Sequence, residues 1–145
     1  MSATVRLAQD DDMAAVYALR HEVFVLGQDV PEDMERDEFD DTCDHAVAVR
    51  DGAVVATGRL LDPADGAGTG TVGRMAVAEA ARGTGLGAAV LTCLEERARE
   101  RGLAAVELHA QVHARGFYDR AGYVPYGDTY LEAGIEHVSM RKALC

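Results

Sequence analysis

A glycine-rich loop in the middle of the chain, residues 82–87, has the residue types and spacing with the clearest chemical meaning. After it, apolar residues recur at helical spacing from Leu86 through Val90 to Leu94, which predicts a helix that begins inside the loop. The first N–H groups of a helix have no intrahelical partners, and glycines let a ligand approach the backbone closely. The loop is therefore a candidate site for a phosphate or pyrophosphate group. Its residues are Arg82, Gly83, Thr84, Gly85, Leu86 and Gly87.

The spacing of these glycines argues against two common phosphate-binding loops. A Rossmann fingerprint reads G-x-G-x-x-G, whereas the third glycine here, Gly87, comes one residue early. A P-loop requires Gly-Lys followed by Ser or Thr, and Gly87 is followed by alanine. Glycines alone would also fit a tight strand-to-helix crossover that binds nothing.

The loop and the strand before it resemble a known family signature. The pattern of Arg82, Gly85 and Gly87, preceded by Met75, Ala76 and Val77, closely resembles the acetyl-coenzyme A signature of the GNAT N-acetyltransferase superfamily. The resemblance implies that acetyl-CoA is the cosubstrate and that the loop holds its pyrophosphate. It also implies that the strand ending at Val77 splays from its neighbour, so that backbone groups of residues 75–77 contact the pantetheine arm and the acetyl oxygen.

Segments on both sides of the loop extend the resemblance over nearly the whole chain. Residues 117–123 look like the F-Y-x-x-x-G-F/Y ending of the family, and Gln111 stands where an asparagine is often found. The resemblance implies that the Gln111 amide can bond the pantetheine arm. Residues 19–25 and 134–140 are similar to the ElaA-type branch. This chain departs from that branch at Gly27, where a glutamate is usual.

Acyl transfer from a thioester to an amine requires a polarised carbonyl, a neutral amine and a proton for the departing thiolate. Tyr118 is the candidate acid, because a phenol that titrates near pH ~10 keeps its proton at neutral pH. An aromatic residue near a helix end is ordinarily part of the core, so that alternative stays open. The base is not assigned, and water is an alternative to the side chains available. Those side chains are Glu35, Asp37, Asp40, His45, His109 and His137.

Two arginines on neighbouring predicted strands have two interpretations. Arg59 and Arg74 each follow a glycine, and arginines are uncommon in strands unless they are paired. In the first interpretation they bind a carboxylate or phosphate of the acceptor while the acidic run 35–41 attracts its amine, which predicts a small zwitterionic or phosphorylated acceptor. In the second they form salt bridges to Asp37 or Asp40.

Length and charge restrict the protein classes further. With 145 residues the chain is one domain, 1–145, in which a single site performs the chemistry. The 25 acidic and 14 basic residues give a formal charge of −11, which argues against nucleic acid or an anionic membrane as the main partner. No signal peptide, membrane span or metal site is expected, and the scattered Cys43, Cys93 and Cys145 favour the cytoplasm. A homodimer stays open.

The pattern of segments predicts an α/β layer protein with a mixed sheet of six or seven strands and helices on both faces. Strands are expected at 4–7, 45–50, 53–61, up to 77, 104–109, 123–126 and 136–142. Asp51 and Gly52 predict a two-residue hairpin, and residues 62–70 a mobile turn. Helices are expected after Asp12, from Leu86 to about Arg101, with Glu95 placed to pair with Arg99, and at 114–121.

Two further functions compete with a small-amine N-acetyltransferase. The first is an acylhomoserine-lactone-synthase-like enzyme, whose N-terminal pattern this chain resembles at Arg20, Phe24 and Glu35 and again at Asp37, Asp40 and Arg59. The intact loop and the short chain disfavour it. The second is a module that binds coenzyme A as a sensor without turnover. The sequence does not identify the acceptor amine.

Overall fold

The computed structural model describes residues 3–63 and 68–144, and these residues form a seven-stranded mixed sheet. The strands are β1 (Thr4–Leu7), β2 (Asp44–Arg50), β3 (Ala53–Leu61), β4 (Thr69–Val77), β5 (Ala105–Gln111), β6 (Val124–Glu132) and β7 (Ile135–Ala143). Their order is β1-β2-β3-β4-β5-β7-β6. Only β4 and β5 run parallel within this part of the chain, and the other neighbours are antiparallel. The predicted fold class is confirmed.

Four α-helices and one π-helical turn are described with the sheet. They are α1 (Met13–Arg20), the π-helical turn His21–Leu26, α2 (Glu32–Glu35), α3 (Leu86–Glu100) and α4 (Arg115–Arg120). None of the described helices combines the length and the apolarity needed to cross a bilayer. The central part of the predicted turn 62–70 and the terminal Cys145 lie outside the described residues.

The hairpin between β2 and β3 forms where the sequence predicts it. Asp51 and Gly52 have φ values of 54° and 78°, and two consecutive positive values give the turn a twist that matches the flanking strands. Glycine and aspartate adopt this conformation at low cost, which is why the pair selects a two-residue turn.

Helices α1 and α3 cover opposite faces of the sheet. A side chain at Gly58 would overlap Met75 Sδ and come within 3.0 Å of Leu94 Cδ1, so this face of β3 meets α3 closely. The next residue, Arg59, shares Asp40 with Arg20 of α1. Because neighbouring residues of a strand point to opposite faces, α1 and α3 lie on opposite sides. The core between α3 and the sheet contains Leu60, Val72, Val90, Leu91, Leu94, Val106 and Met140.

The expected helical pair of Glu95 with Arg99 is wrong. Glu95 is buried and accepts hydrogen bonds from Tyr123 Oη at 2.8 Å and Lys142 Nζ at 3.1 Å. Arg99 donates instead to the carbonyl of Leu144. Position 95 lies on the sheet-facing side of α3, where a carboxylate needs partners from the sheet, and helical spacing alone does not reveal that orientation.

Candidate active site

A cleft opens where β4 and β5 separate. The two strands are paired from Thr69 with Ala105 to Val72 with Leu108, and in the described residues no pairing is found beyond that point. A bulge in β4 separates them: its register with β3 shifts between Thr57 and Arg59, and Arg74 has a φ of 53°. The last residues of β4, 73–77, therefore face the end of β5 across a gap. The cleft has a volume of about 780 Å³.

The glycine-rich loop lies at the start of α3, beside this gap. Gly83 and Gly85 have φ values of 79° and 84°, which only glycine adopts readily, and nothing lies within 4 Å of the position that a side chain would take at either. A side chain at Gly87 would instead come within 3.1 Å of Val77 Cγ2. The first two glycines thus keep backbone and space open, and the third lets α3 pack against β4.

Arg82 and Thr84 fix the shape of the loop. Arg82 Nε donates to the carbonyl of Val77 at 3.2 Å, and Arg82 lines the cleft. Thr84 Oγ1 donates to the carbonyl of Ala81. The first N–H groups of α3 thus follow a loop whose cationic Arg82 lines the cleft, an arrangement that suits a phosphate group.

Tyr118 belongs both to the core and to the cleft. Its ring packs edge-on against Phe117 and Tyr123, with centroid distances of 5.0 and 6.1 Å, and the residue also lines the cleft. Burial raises the pKa of Tyr118 to about 12. The phenol therefore stays protonated at neutral pH. A thiol titrates near ~8.5, so complete transfer of the Tyr118 proton to a thiolate is uphill, and the role that fits is hydrogen-bond donation.

The two predicted arginines are held in ion pairs. Arg59 is 4% exposed, and its Nη1 donates to Asp37 Oδ1 at 2.7 Å and to Asp40 Oδ1 at 2.8 Å. Arg74 Nε donates to the carbonyl of Glu35 at 2.9 Å, and its Nη2 lies 3.4 Å from Asp37 Oδ2. The structure therefore contains the contacts that the salt-bridge interpretation requires. A carboxylate of the acceptor would have to displace Asp37 before Arg59 and Arg74 could bind it.

A third arginine completes this arginine–carboxylate cluster, whose members are Arg20, Glu35, Asp37, Asp40, Arg59 and Arg74. Arg20 Nη1 donates to Asp40 Oδ1 at 2.8 Å and its Nε to Glu35 Oε2 at 2.9 Å. Burial would raise the pKa of Asp40, but hydrogen bonds from Arg20, the Asp37 N–H and Arg59 hold it well below its usual range. Three cations balance three carboxylates. The acidic run therefore does not present free negative charge to the cleft at these positions.

This cluster reduces the number of base candidates. Glu35, Asp37 and Asp40 are held by arginines, and a carboxylate so held is a weak base. His45 bonds the carbonyl of Asp40 through Nε2 at 2.9 Å and does not line the cleft. His109 and His137 do line it.

Asp40, Cys43 and His45 bring their ligand atoms within 4.8 Å of one another, the spacing of a metal-binding group. The Asp40 oxygens are already bonded to two arginines. Burial raises the pKa of the Cys43 thiol to about 11, so the thiolate that a metal needs is disfavoured. The chemistry of this group does not suit a metal ion.

Gln111 lies at the end of β5 and bridges the cleft. Its Nε2 donates to Gln28 Oε1 at 2.7 Å, and its Oε1 faces His113 Nε2. The amide predicted to contact a pantetheine arm thus also ties β5 to the segment after the π-helical turn. Sequence reasoning did not identify Gln28 or Glu132 as cleft residues. Gln28 meets Gln111 across 83 positions, and Glu132 approaches His137 only through the pairing of β6 with β7.

Comparison with known proteins agrees with this geometry. Residues 9–144 match the family described as "Acetyltransferase (GNAT) domain". Protein ElaA of Escherichia coli (strain K12) is 32% identical over 130 residues, which cover 88% of this chain and 85% of ElaA. The crystal structure of Escherichia coli ElaA superimposes with a TM-score of 0.87 over 97% of this chain and 99% of ElaA, at 27% identity.

A second solved structure is still more similar in sequence. An acyl-CoA N-acyltransferase from Pseudomonas aeruginosa is 36% identical and covers 98% of this chain and 100% of its own, with a TM-score of 0.85. The family match spans nearly the whole chain, and it includes the glycine loop, the splayed strands and the helix that carries Tyr118. The chain belongs to the GNAT acetyltransferase family and is an acyltransferase homologous to ElaA.

Proposed function

We propose that this enzyme transfers an acetyl group from acetyl-CoA directly to the amine of a small molecule. The observation that carries the proposal is the opening between β4 and β5 beyond Val72 and Leu108. It forms one continuous cleft from Arg82 at the glycine loop to Tyr118 on α4. A nucleotide-linked thioester and an amine need such a shared cleft if they are to react with each other.

The residues around the cleft fit acetyl-CoA. Residues 82–87 would hold the pyrophosphate, because the loop offers helix-start N–H groups, open space at Gly83 and Gly85, and the Arg82 side chain. The backbone of Met75, Ala76 and Val77 would pair with the pantetheine arm, since this stretch of β4 has lost its pairing with β5. The Gln111 amide would contact the same arm from β5.

The chemistry assigns a separate task to each wall of the cleft. Bound acetyl-CoA would supply an acetyl group activated as a thioester. N–H groups of residues 75–77 on the unpaired edge of β4 would polarise the acetyl carbonyl. Tyr118 keeps its proton up to pH about 12 and would donate a hydrogen bond to the sulfur as the C–S bond breaks.

Direct transfer is favoured over a covalent acyl-enzyme. A thiol nucleophile reacts as the thiolate, and burial raises the pKa of both Cys43 and Cys93. Neither of these two cysteines lines the cleft, within the part of the chain that the structure describes. The acceptor nitrogen would therefore attack the acetyl carbon itself.

The acceptor is a small amine that carries a positive charge before it reacts. Among the cleft residues, Arg59 and Arg74 are engaged by Asp37 and Glu35, whereas Glu132 is 60% exposed on its side chain. A cationic group is therefore attracted to the Glu132 side of the cleft, and an anionic group gains little from the paired arginines. This favours a plain primary amine over the zwitterionic or phosphorylated amine that the sequence suggests.

An amine panel tests the proposal. Purified enzyme is given acetyl-CoA with benzylamine, putrescine, an amino acid or a lysine peptide, and release of coenzyme A is followed against a control without amine. We expect release that depends on a small primary amine. Acetyl-CoA binding by calorimetry without release for any amine would identify a sensor module instead. Lactone formation from S-adenosylmethionine and an acyl donor would identify the synthase-like alternative.

A further inference from the structure

The tautomer of His137 is set by its backbone neighbour. His137 lies near the start of β7 and is 7% exposed. Its Nδ1 lies 2.7 Å from the carbonyl oxygen of Ile135. A carbonyl oxygen only accepts hydrogen bonds, so Nδ1 must carry the proton. In the neutral ring the lone pair is then on Nε2, which makes Nε2 the basic atom.

The basic atom faces a carboxylate. His137 Nε2 lies 3.6 Å from Glu132 Oε2, which is too long for a direct hydrogen bond. Two acceptors that face each other without a proton between them repel, so with a neutral ring a donor that reaches both stabilises the arrangement. Both residues line the cleft, so such a donor reaches them from the cleft.

We propose that His137 Nε2 and Glu132 Oε2 bind the ammonium group of the acceptor and that His137 is the base that deprotonates it. The proposal rests on the acetyl-transfer function and deepens it, because it assigns the base and the chemical class of the acceptor. An ammonium group donates several hydrogen bonds and carries the charge that Glu132 attracts. A carboxylate or phosphate group at this position would be repelled.

The sheet places this pair beside the reaction centre. In the register of β5 with β7, Gln111 is opposite His137 and His109 is opposite Ser139, so these side chains share one face. Gln111 ends the strand that splays from β4. The proposed base therefore lies at the open end of the same gap in which residues 75–77 would hold the acetyl group.

Aromatic packing holds the imidazole ring in place. The Tyr130 ring on β6 stacks on His137 with a centroid distance of 5.8 Å and an interplanar angle of 23°. His109 packs edge-on against the same Tyr130 ring, with a centroid distance of 6.1 Å. The titratable groups near His137 are Glu132 and Tyr130 on β6, His109 on β5 and His113 after it, with Glu35 and Arg74 paired across the cleft.

The proton transfer balances without any further reactant. An N–H bond of the acceptor ammonium breaks, and its proton forms an N–H bond at His137 Nε2. The neutral amine keeps the electron pair that attacks the acetyl carbon. The imidazolium is stabilised by the Ile135 carbonyl at Nδ1 and by Glu132 at Nε2, and it later returns the proton to solvent.

Nitrogen NMR of histidine-labelled enzyme tests the geometry without turnover. In the neutral ring we expect His137 to carry its proton on Nδ1 and none on Nε2. Benzylamine should shift the Nε2 resonance, benzyl alcohol should not, and Glu132→Gln should weaken the benzylamine response about fivefold. A proton fixed on Nε2, or no response to benzylamine, would overturn the proposal.

Kinetics test the catalytic role. We expect His137→Gln to lower kcat/KM for the amine by about 10²-fold at neutral pH, the usual contribution of a general base. The loss should shrink as pH approaches the pKa of the amine, because free amine then forms without a base. His21→Gln is the matched control, since His21 Nε2 pairs with Glu32 at 3.0 Å outside the cleft. A His137→Gln profile parallel to that of the unmodified enzyme would exclude His137 as the base.

The two proposals fail in different ways. If no amine is acetylated yet benzylamine shifts Nε2 of His137, the acetyl-transfer function fails and the ammonium site stands. If amines are acetylated and neither the resonance nor the pH profile responds, the ammonium site fails and acetyl transfer stands. If His137→Gln does not fold, the NMR experiment on the unmodified enzyme still tests the ammonium site.

Discussion

Replacing Arg59 by alanine should destabilise the protein much more than an exposed arginine does. Arg59 is buried and satisfies two carboxylates, Asp37 and Asp40, through three hydrogen bonds of 2.7 to 2.8 Å. Without the guanidinium group, Asp40 keeps Arg20, whereas Asp37 keeps the Phe39 N–H and the long contact to Arg74. Removing one partner of a buried ion pair costs about 3–5 kcal/mol.

The lower end of that range applies here. Asp37 is 28% exposed on its side chain, so water takes up part of the lost interaction, and Asp40 stays bonded to Arg20. We therefore expect a loss of roughly 3 kcal/mol in the free energy of unfolding. For a chain of this size that corresponds to a fall in Tm of roughly 6–12 °C.

Thermal denaturation followed by circular dichroism measures this change. The matched control is Arg6→Ala, since Arg6 pairs with Asp12 at 2.7 Å in a similar geometry but is 39% exposed on its side chain. Exposed ion pairs contribute little, so Arg6→Ala should leave Tm nearly unchanged. Equal shifts for Arg59→Ala and Arg6→Ala would refute the conclusion that the cluster is a buried stabilising unit.

Three further outcomes follow from the same contacts. Arg74→Ala should lower Tm and weaken activity on charged and uncharged amines alike, because Arg74 bonds the backbone of Glu35. A rise in KM confined to amines that carry an anionic group would instead support the interpretation in which Arg74 binds the acceptor. Tyr118→Phe should lower kcat by about tenfold or more with acetyl-CoA affinity unchanged in calorimetry. Equal kcat values would mean that another acid or water serves the departing sulfur. The pKa values of Asp37 and Asp40 are lowered in the folded state, so the stability that these carboxylates contribute is present above about pH 4 and is lost as pH falls through the folded values. Acid titration should therefore narrow the difference in free energy of unfolding between Arg59→Ala and the unmodified protein. A difference that stays constant below about pH 4 would contradict this linkage.

Local patterns in the sequence determine much of this fold. The hairpin at Asp51 and Gly52 follows from positive φ values, and the helix start at Leu86 from the glycines before it. These features depend on residues within a few positions of each other, so spacing is enough to predict them. The resemblance adds the splay of β4 from β5, which no local pattern specifies.

The partners of charged residues could not be predicted in the same way. Arg59 meets Asp37 across 22 positions and Glu95 meets Lys142 across 47, so each pair depends on how distant elements pack. The sequence offered two interpretations of Arg59 for this reason. The orientation of His137 toward Glu132 depends on the β6–β7 register, including the shift between Tyr126 and Tyr130. A register shift is not visible in residue types alone.

Detection of the acetylated amine by mass spectrometry tests the central claim most directly. The unmodified enzyme is compared with Gly85→Glu, which places a carboxylate in the proposed phosphate site, and with Gly102→Glu, whose glycine has a similar φ of 78° and equally open surroundings at the far end of α3. With the amine that the panel identifies, we predict an acetylated product from the unmodified enzyme and from Gly102→Glu, and none from folded Gly85→Glu. Equal product from all three proteins would contradict acetyl transfer at this cleft.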